Sequence, residues 1–523
     1  MMRIGATLLA LAAWGAPLSA QTYLWRPEER VVLADFSYVD ALAAGSDLVY
    51  AVTRGGIGVY DTRFRRWEPP VPLPSGYPSG SARTAIVDPT DRSLWIGTAL
   101  GVTRYDPHLQ SFDDVSVGGG VWDLMFDSGD PMRGLYVRSR FGWQLLQLGS
   151  LMPMDAGPLP PPGRQLRAGS VEAILERMPS LIARSTLALT DERLRRYRFT
   201  AAAELQYTGE IFVGTDGYGV LRVDPTTLEI VRLPFGLPSD GVAAVEPTAG
   251  GVWVGSGARA RRAWLAHVGK DLQQYDYEEG PPATGFRFDV VFDLVVKNDE
   301  LWAATDRGLW RIVPGGQTRR MAVGVIGEAQ RVYALAAGRT GIWAATERGL
   351  VFVDEREGDA MVADVSVREP LYAVRVLGDA IWVGGERGVG VLREGDETIR
   401  VPADVADEPI LAGPVVALAV VGDTVVAALP DRIAWRDPGG RWTVERPLGE
   451  IGEISSLFAE AGGVWVAGTR GLAWFGFAGR AYRFLTVPGD LPGPIRRIGA
   501  TGEYLWVGTD AGLVRLRKDV VVP

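Results

Sequence analysis

The 523-residue sequence predicts an all-β protein, a β-propeller of about eleven four-stranded blades with a small helical insertion. Three observations support this prediction. A short aromatic strand motif recurs along the chain, its spacing stays near 41 residues, and the chain contains 66 glycines and 17 tryptophans. One propeller blade is a four-stranded sheet of roughly 40–45 residues, so this period corresponds to one blade per repeat.

The repeated motif has the form Leu-Trp-Val-Gly-Thr, followed by a tight turn that ends in glycine. It is apolar on both faces, as expected for a strand between neighbouring blades. Its fourth residue is glycine or alanine in nine copies, which we interpret as space for an aromatic side chain of the next blade. Ten of the eleven copies have an aromatic second residue, and the second residues are Tyr50, Trp95, Tyr136, Phe212, Trp253, Trp302, Trp343, Trp382, Val426, Trp465 and Trp506.

Ring closure is the part of the architecture that the repeats leave open. Rings usually contain about four to eight blades, so we expect two rings of five to six blades, with one large ring as the alternative. The greater regularity of the later copies places residues 21–285 in blades 1–5 and residues 286–523 in blades 6–11. Few residues follow Gly512, so Val31–Ala34 is expected to supply the missing outer strand and to join the two ends of the chain.

The first twenty residues have the form of a secretory signal peptide. Arg3 precedes an apolar run from Ile4 to Trp14, and small residues precede Gln21. We therefore expect a periplasmic or secreted protein, cleaved near Ala20, with no transmembrane segment after the signal peptide.

An insertion at about 152–198 interrupts the repeat. It begins with a proline-rich linker, and Ser170 is the expected N-cap of a short amphipathic helix. A second short helix is expected from Ser180 to Leu189, and a third starting near Thr190. The insertion is rich in arginine, as is the extra length between Gly257 and Phe286. Each stretch is interpreted either as a docking element for an acidic ligand or partner, or as a solvated cap.

Composition argues against several kinds of site. The chain has no cysteine, which excludes disulfides and thiolate chemistry, and only two histidines, His108 and His267. A His-rich metal centre is therefore excluded, and a catalytic histidine is not expected. The net charge of −9 argues against nucleic-acid binding. We expect no catalytic residues, no metal and no cofactor.

One recurring turn is the candidate binding site. The turn after the motif strand carries an arginine directly before its glycine in four copies, and equivalent turns of successive blades lie on one face. Such arginines can bind carboxylates or sugar hydroxyls. The alternative is that they are solvated or neutralised by the acids that precede three of them. The arginines are Arg307, Arg348, Arg387 and Arg470, and the acids are Asp306, Glu347 and Glu386.

The repeats resemble the two-component regulator propeller repeat, whose core is Leu-Trp-x-Gly-Thr-x-x-Gly-Leu-x-Arg-Tyr-Asp. Leu94 to Asp106 follows this core closely, and Leu505 to Arg515 matches it through Arg515. The resemblance spans about Ala34 to Arg517. It implies a sensor-type β-propeller, because in that family the repeats commonly form the periplasmic half of a membrane histidine kinase. No kinase or DNA-binding part follows the last repeat, so we do not expect signalling within the same polypeptide.

Together these features predict an exported, non-catalytic propeller that binds a ligand, such as an anionic glycan or peptide, or a protein partner. The alternative is a carboxylate-dependent lyase or hydrolase, since streptogramin-lyase-like propellers have similar aromatic strands. Convergent Asp, Glu or Tyr side chains in one pocket would favour the enzyme. A flat basic or aromatic face would favour the binding protein.

The signal peptide is directly testable. When the full chain is expressed in a bacterial host, the protein recovered from the periplasm or medium should begin near Gln21, as read by intact-mass measurement. Leu8→Asp combined with Leu11→Asp should abolish cleavage, because both charges interrupt the apolar run. Uncleaved wild-type protein in the cytoplasm would contradict the prediction.

Overall fold

The computed structural model describes residues 25–73, 77, 82–127, 134–148, 151–157, 165–177, 188–313, 318–320, 331–354, 360–362, 367–393, 396–406, 411–446, 450–477 and 484–521. The strands in this part of the chain form eleven antiparallel sheets, and each copy of the motif is the second strand of a different sheet. The predicted β-propeller with eleven blades is therefore confirmed. The predicted signal peptide lies outside the described residues.

Blades 1–4 follow the N-terminal strand β1 (Arg30–Leu33). Blade 1 comprises β2 (Val39–Ala44), β3 (Leu48–Thr53), β4 (Ile57–Asp61) and β5 (Arg66–Val71). Blade 2 comprises β6 (Thr84–Val87), β7 (Leu94–Gly97), β8 (Val102–Asp106) and β9 (Ser111–Val115). Blade 3 comprises β10 (Val121–Asp127), β11 (Leu135–Ser139), β12 (Gly142–Leu146), β13 (Pro153–Gly157) and β14 (Gln165–Arg167). After α1 (Val171–Arg177), blade 4 comprises β15 (Ala188–Thr190), β16 (Arg196–Glu204), β17 (Ile211–Thr215), β18 (Val220–Val223) and β19 (Ile230–Leu233).

Blades 5–8 continue the chain. Blade 5 comprises β20 (Val242–Thr248), β21 (Gly251–Ser256), β22 (Leu265–Gly269) and β23 (Tyr275–Glu278). Blade 6 comprises β24 (Val291–Lys297), β25 (Glu300–Thr305), β26 (Gly308–Ile312) and β27 (Thr318–Arg320). Blade 7 comprises β28 (Val332–Ala337), β29 (Gly341–Thr346), β30 (Gly349–Asp354) and β31 (Ala360–Val362). Blade 8 comprises β32 (Leu371–Leu377), β33 (Ala380–Gly385) and β34 (Gly388–Arg393), with a bridge from Val391 to Arg400.

Blades 9–11 complete the fold. After α2 (Ala403–Ala406), blade 9 comprises β35 (Ala417–Val421), β36 (Thr424–Leu429), β37 (Arg432–Arg436) and β38 (Trp442–Glu445). Blade 10 comprises β39 (Ile454–Glu460), β40 (Gly463–Gly468), β41 (Gly471–Gly476) and β42 (Phe484–Thr486). Blade 11 comprises β43 (Ile495–Thr501), β44 (Tyr504–Thr509), β45 (Gly512–Arg517) and the N-terminal β1, and α3 (Lys518–Val521) follows it.

The blades close into one ring of four and one ring of seven. In the larger ring the first strands contact one another in a cycle, β20, β24, β28, β32, β35, β39 and β43, and β43 contacts β20 again. In the smaller ring β2 contacts both β6 and β16, and β6 contacts β10. Between β10 and β16, β14 adds to the edge of β10 and α1 contacts β16. The expected rings of five and six blades, divided near residue 286, are thus corrected to four and seven, divided near Val242.

Each blade contacts the next through the small fourth residue of its motif strand. A Cβ atom on Gly255 would lie 2.7 Å from the Val291 side chain, which begins the first strand of blade 6. Similarly, a Cβ on Gly384 would lie 2.5 Å from Val415. The expectation that an aromatic residue fills this space is wrong, because the neighbour is a β-branched side chain at the start of the next blade.

The same contact identifies where each ring closes. A Cβ on Gly508 of blade 11 would lie 2.8 Å from Val242 of blade 5, and a Cβ on Gly214 of blade 4 would lie 2.5 Å from Val39 of blade 1. Because each closing pair brings together the last and first blades of a ring, the blade count follows from these two contacts.

The N-terminal strand closes the seven-bladed ring. β1 pairs antiparallel with β45, with Val32 opposite Val514, as the outer strand of blade 11. The prediction that this segment joins the chain ends is confirmed. The four-bladed ring is therefore inserted between the outer strand of blade 11 and the first strand of blade 5.

An aromatic cluster holds the two rings together where the chain crosses between them. Phe235, in the segment that leaves blade 4, stacks on Trp67 of blade 1 with ring centroids 4.3 Å apart. Phe36 and Tyr275 also contact Phe235, at 4.8 and 5.6 Å. The Gln273 side chain of blade 5 donates a hydrogen bond to the Trp67 carbonyl at 2.8 Å. The rings thus share a buried core at this joint.

The insertion contains less helix than expected. Ser170 caps α1, accepting a hydrogen bond from the Ala173 N–H at 3.1 Å, as predicted. The second expected helix lies largely outside the described residues. The third expected helix is a turn between β15 and β16, because the Asp191 carboxylate accepts hydrogen bonds from the backbone N–H groups of Arg193 and Arg195. No helix in the described part of the chain has the length and apolar character needed to cross a membrane.

Substitution at the closing contact should destabilise the seven-bladed ring. Gly508→Val places a branched side chain against Val242, and such overpacking costs about 1–3 kcal/mol. The control is Gly250→Val, because no atom lies within 4 Å of a Cβ at Gly250. Urea unfolding should show a clearly lower midpoint for the first variant only. Equal midpoints for the two variants would be inconsistent with closure at Gly508.

Candidate functional site

The four predicted arginines lie on one face of the seven-bladed ring, at the turns between second and third strands. The turn geometry is determined locally. Thr305 Oγ1 donates a hydrogen bond to the Gly308 carbonyl at 2.7 Å and accepts one from the Arg307 N–H at 3.1 Å. Gly308 has φ of 101°, a conformation that favours glycine. We call this surface the turn face.

Three of the arginines belong to consecutive blades and the fourth is separate. Arg307, Arg348 and Arg387 lie in the turns of blades 6, 7 and 8, whereas Arg470 lies in blade 10. The structure therefore brings the first three together in an arc and places Arg470 two blades farther around the ring.

Only one of the three adjacent acids pairs with its arginine, and two further acids take part. Arg307 pairs with Asp289 at 3.1 Å and with Asp306 at 3.7 Å, and its side chain is 57% exposed. Arg387 pairs with Glu369 at 2.8 Å and is 85% exposed. Arg348 is exposed and has no ion pair among the described side chains. Despite these ion pairs, the three arginines of the arc remain exposed.

An aromatic arc runs beside these arginines on the same three blades. Phe292, Tyr333 and Tyr372 are each the second residue of a first strand, and each is left unpaired by a β-bulge. A bulge re-aims the side chain of its extra residue. The ring centroids are 5.7 Å apart between Phe292 and Tyr333 and 5.3 Å apart between Tyr333 and Tyr372.

Glu386 does not pair with the neighbouring Arg387 but with Tyr372, at the end of the aromatic arc. The Tyr372 hydroxyl donates a short hydrogen bond to Glu386 Oε1. This bond, with burial and the negative charge of Glu386, raises the pKa of Tyr372 to about 12. Tyr372 therefore remains a neutral phenol at physiological pH.

The central channel of the seven-bladed ring contains a cavity of about 430 Å³, lined by residues of all seven blades. It lies in the half of the channel nearer the turns between first and second strands, opposite the turn face. Most of its lining residues have apolar side chains, and four charged residues from four blades also line it, which are Glu246, Asp293, Arg375 and Arg497.

Two of these charges form an ion pair across blade 5. Asp293 Oδ1 pairs with Arg497, and Asp293 also accepts hydrogen bonds from the N–H groups of Leu294 at 3.1 Å and Leu335 at 3.0 Å. Ala244 is the equivalent residue of the blade between them, and its small side chain leaves room for the pair. Asp293 is therefore fully engaged inside the ring.

The other two charges, Glu246 and Arg375, have no ion-pair partner among the described side chains. Glu246 Oε1 accepts one long hydrogen bond from the Val296 N–H at 3.4 Å. Burial, together with the negative charge of Asp293, raises the pKa of Glu246 to about 7. Burial lowers the pKa of Arg375, and the negative charge of Asp293 acts in the opposite direction.

The two arginine-rich irregular segments meet at the joint between the rings. The Glu279 carboxylate pairs with Arg195 at 2.7 Å, Arg262 at 3.5 Å and Arg193 at 3.7 Å. The Arg193 guanidinium also donates hydrogen bonds to the Gly280 and Pro281 carbonyls. These arginines are therefore used within the chain, to connect blade 4 with the segment that follows blade 5.

The histidines occupy ordinary structural positions. His267 lies in β22, packs against Trp253 with ring centroids 5.2 Å apart, and pairs with Asp276 at 3.8 Å. Burial lowers the pKa of His267, against the effect of Asp276. His108 lies in a turn whose N–H groups are held by Asp106. Within the described ranges, no three His, Asp or Glu side chains are grouped to hold a metal ion.

Sequence reasoning identified the turn arginines and missed the bulged aromatic residues and the channel charges. The channel charges had a signal in the sequence, which is a charged residue within an otherwise apolar first strand. Examples are Val-Ala-Ala-Val-Glu246 and Leu-Tyr-Ala-Val-Arg375. Recognising it requires knowing which residues of that strand face the channel.

Solved structures that resemble this chain share little sequence identity with it. An extracellular domain assigned to a hybrid two-component system of B. thetaiotaomicron is 13% identical, with a TM-score of 0.45 over 91% of this chain. PorZ, a surface component of the type-IX secretion system of Porphyromonas gingivalis, is 13% identical, with a TM-score of 0.45 over 92% of this chain and 68% of its own length. Virginiamycin B lyase from Staphylococcus aureus is 15% identical, with a TM-score of 0.43 over 53% of this chain and 94% of its own length.

These comparisons establish nothing narrower than the general fold. The chain spans 61% of the length of the B. thetaiotaomicron domain. No family model matches the chain. No curated protein matches it either.

The raised pKa of Glu246 makes stability depend on pH. The folded protein binds this proton more tightly than the unfolded chain, so the resulting stability is present below about pH 4.5 and is lost as pH rises through about 7. Glu246→Gln stays neutral, so at pH 8.5 it should be more stable than wild type by on the order of 1–3 kcal/mol. At pH 5 the difference should nearly vanish.

Urea unfolding at pH 5 and pH 8.5 measures this effect. Glu397→Gln, a substitution of an exposed glutamate in the loop after β34, is the control and should leave the pH dependence unchanged. An identical pH dependence for wild type and Glu246→Gln would show that burial of Glu246 carries no such cost.

Proposed function

We propose that this protein is an exported, non-catalytic propeller that binds an extended, anionic ligand, a glycan or an acidic peptide, on the turn face of the seven-bladed ring. The carrying observation is the aromatic arc of Phe292, Tyr333 and Tyr372 beside exposed arginines of the same three blades. Export follows from the predicted signal peptide, and the periplasm or the medium is the expected location.

The aromatic arc supplies the non-polar part of such a surface. Tyrosine and phenylalanine rings offer large apolar faces at a low cost in side-chain entropy, and tyrosine keeps a polar group at its edge. The bulges hold the three rings in contact, so the surface exists before a ligand arrives. A preorganised surface of this kind favours an extended ligand that crosses several blades.

The arginines supply the charged part. A guanidinium presents a planar fork that suits a carboxylate or sulfate group. The ion pairs of Arg307 and Arg387 are exposed, so they are worth little and a ligand can replace them. An acidic protein can attract an anion locally in this way, because the field at short range depends on nearby groups.

The alternative function, a carboxylate-dependent lyase or hydrolase, has one observation in its favour. Glu246 and Asp293 converge in the channel cavity, as such an enzyme requires. Glycoside hydrolysis generally uses two available carboxyl groups. Asp293 is committed to Arg497 and to two backbone N–H groups, which leaves Glu246 alone. The geometry therefore supports binding better than catalysis.

The proposal predicts a loss of binding when the arc loses its charge. A panel of anionic glycans and acidic peptides is titrated calorimetrically against wild type and against a triple variant, Arg307→Ala, Arg348→Ala and Arg387→Ala. Each ligand that binds wild type should bind the triple variant at least about tenfold more weakly, because charge-assisted hydrogen bonds are lost. Tyr333→Ala should weaken the same ligands.

A control separates the arc from net charge. The triple variant Arg65→Ala, Arg198→Ala and Arg400→Ala removes three exposed arginines located elsewhere and should bind like wild type. Equal weakening in both triple variants would indicate a general charge effect. Unchanged affinity in the arc variant would refute the turn face as the binding site.

A further inference from the structure

We propose that the channel cavity of the seven-bladed ring is a second, separate binding site for a small zwitterion with an apolar body, an amino acid or a short peptide. The geometry points to this class because the cavity combines apolar side chains with two opposite charges, Glu246 and Arg375, neither of which has an ion-pair partner among the described side chains. This site faces away from the turn face and does not depend on the ligand proposed there.

Arg375 is placed to receive a carboxylate. Its Nη1 donates hydrogen bonds to the carbonyls of Val374 at 2.8 Å and Leu335 at 3.3 Å, which hold one edge of the guanidinium against the wall. The remaining N–H groups have no hydrogen bond to a described residue. A held guanidinium with free donors is preorganised for a planar anion.

Glu246 is placed to receive an ammonium group. It lies on blade 5, whereas Arg375 lies on blade 8, three blades around the ring. One Glu246 oxygen accepts only the long bond from Val296, and the nearby Arg497 is already paired with Asp293. A cation in the cavity would therefore provide the counter-charge that Glu246 lacks within the chain.

The walls and size of the cavity suit the body of such a ligand. Val295, Val376, Val420 and Phe458 line it, with small alanines between them. Its volume of about 430 Å³ lies within the range of about 300–1,000 Å³ that is usual for small-molecule sites. Ala337, at the end of the channel nearer the turns between first and second strands, is exposed, so the cavity has a route to solvent.

The two opposite charges favour a zwitterion over a simple acid. An acid that paired with Arg375 would bring a further negative charge close to the carboxylates of Glu246 and Asp293. A simple amine would leave Arg375 without a counter-charge. A ligand with both groups satisfies both residues, and desolvated charges strongly prefer to be paired.

The test uses matched ligands that differ by one charge. Leucyl-leucine, its N-acetyl derivative and its C-terminal amide are titrated calorimetrically against the full chain. The zwitterion should bind, and each derivative should bind at least about tenfold more weakly, because each loses one charge-assisted contact. Free phenylalanine and leucine are included to measure the preferred length.

Two variants assign the two contacts. With Arg375→Gln, the zwitterion should bind no better than the amide, because the carboxylate has lost its partner. With Glu246→Gln, it should bind no better than the N-acetyl derivative. Arg400→Gln is the control from the same blade, with a side chain 72% exposed at the outer edge, and should keep the wild-type preference. Near-ultraviolet circular dichroism verifies folding, and Arg375→Met, which also removes the charge, replaces Arg375→Gln if the latter does not fold.

The outcome is decisive in either direction. Binding of the zwitterion with both variant effects supports the site. Absence of binding by the dipeptide and both free amino acids would overturn the proposal. The proposal would also be overturned if acetylation and amidation left the affinity unchanged, or if neither substitution reduced it. None of these results depends on the turn-face arginines, so failure here leaves the proposed function standing.

Discussion

The packing of a small residue against a β-branched residue is the interaction on which both rings depend. The small residue is the fourth of the motif strand in nine of the eleven copies, and in the contacts described above the branched residue lies at the start of the next blade. At Gly255 and Val291 the separation leaves no room for a further carbon atom. Protein interiors are close-packed, so a contact repeated at this distance determines the spacing and rotation from blade to blade.

The order of these contacts along the chain explains the division into four and seven blades. Gly214 meets Val39 and closes the small ring, after which the chain crosses to Val242 and starts the large one. The large ring can close only because the chain already left β1 as an outer strand for blade 11. The two crossing segments run side by side, with the Leu237 N–H bonded to the Ala34 carbonyl at 2.9 Å. The aromatic joint at Phe235 then holds the rings together.

The sequence was informative about blades and poorly informative about rings. The aromatic motif reports the second strand of each blade, and all eleven copies were placed correctly. Ring size depends on contacts such as Gly508 with Val242, which are remote in the chain and look like every other blade contact. The third expected helix failed for a local reason, because Asp191 closes a turn where a helix start was expected.

The candidate site was predictable in the same partial way. Repeat periodicity places the arginine turns on one face, which holds for Arg307, Arg348 and Arg387. Two of their partners, Asp289 and Glu369, were missed, because each precedes the first strand of the blade and meets the turn only through the pairing of the first two strands. The bulge that re-aims Tyr333 depends on strand register, which a sequence motif does not report.

Each first strand divides its residues between packing and function. The first and fourth residues, such as Val291 and Leu294, are buried between blades, and the bulged second residue faces the turn face. The third and fifth residues reach the channel, where the packing does not require a charge. Burial of Glu246 therefore costs stability when the carboxylate is ionised, and alanines at the equivalent position of other blades, Ala336 and Ala419, show that the packing does not require it. A charge retained at such a cost is more simply explained by a ligand in the channel than by the fold.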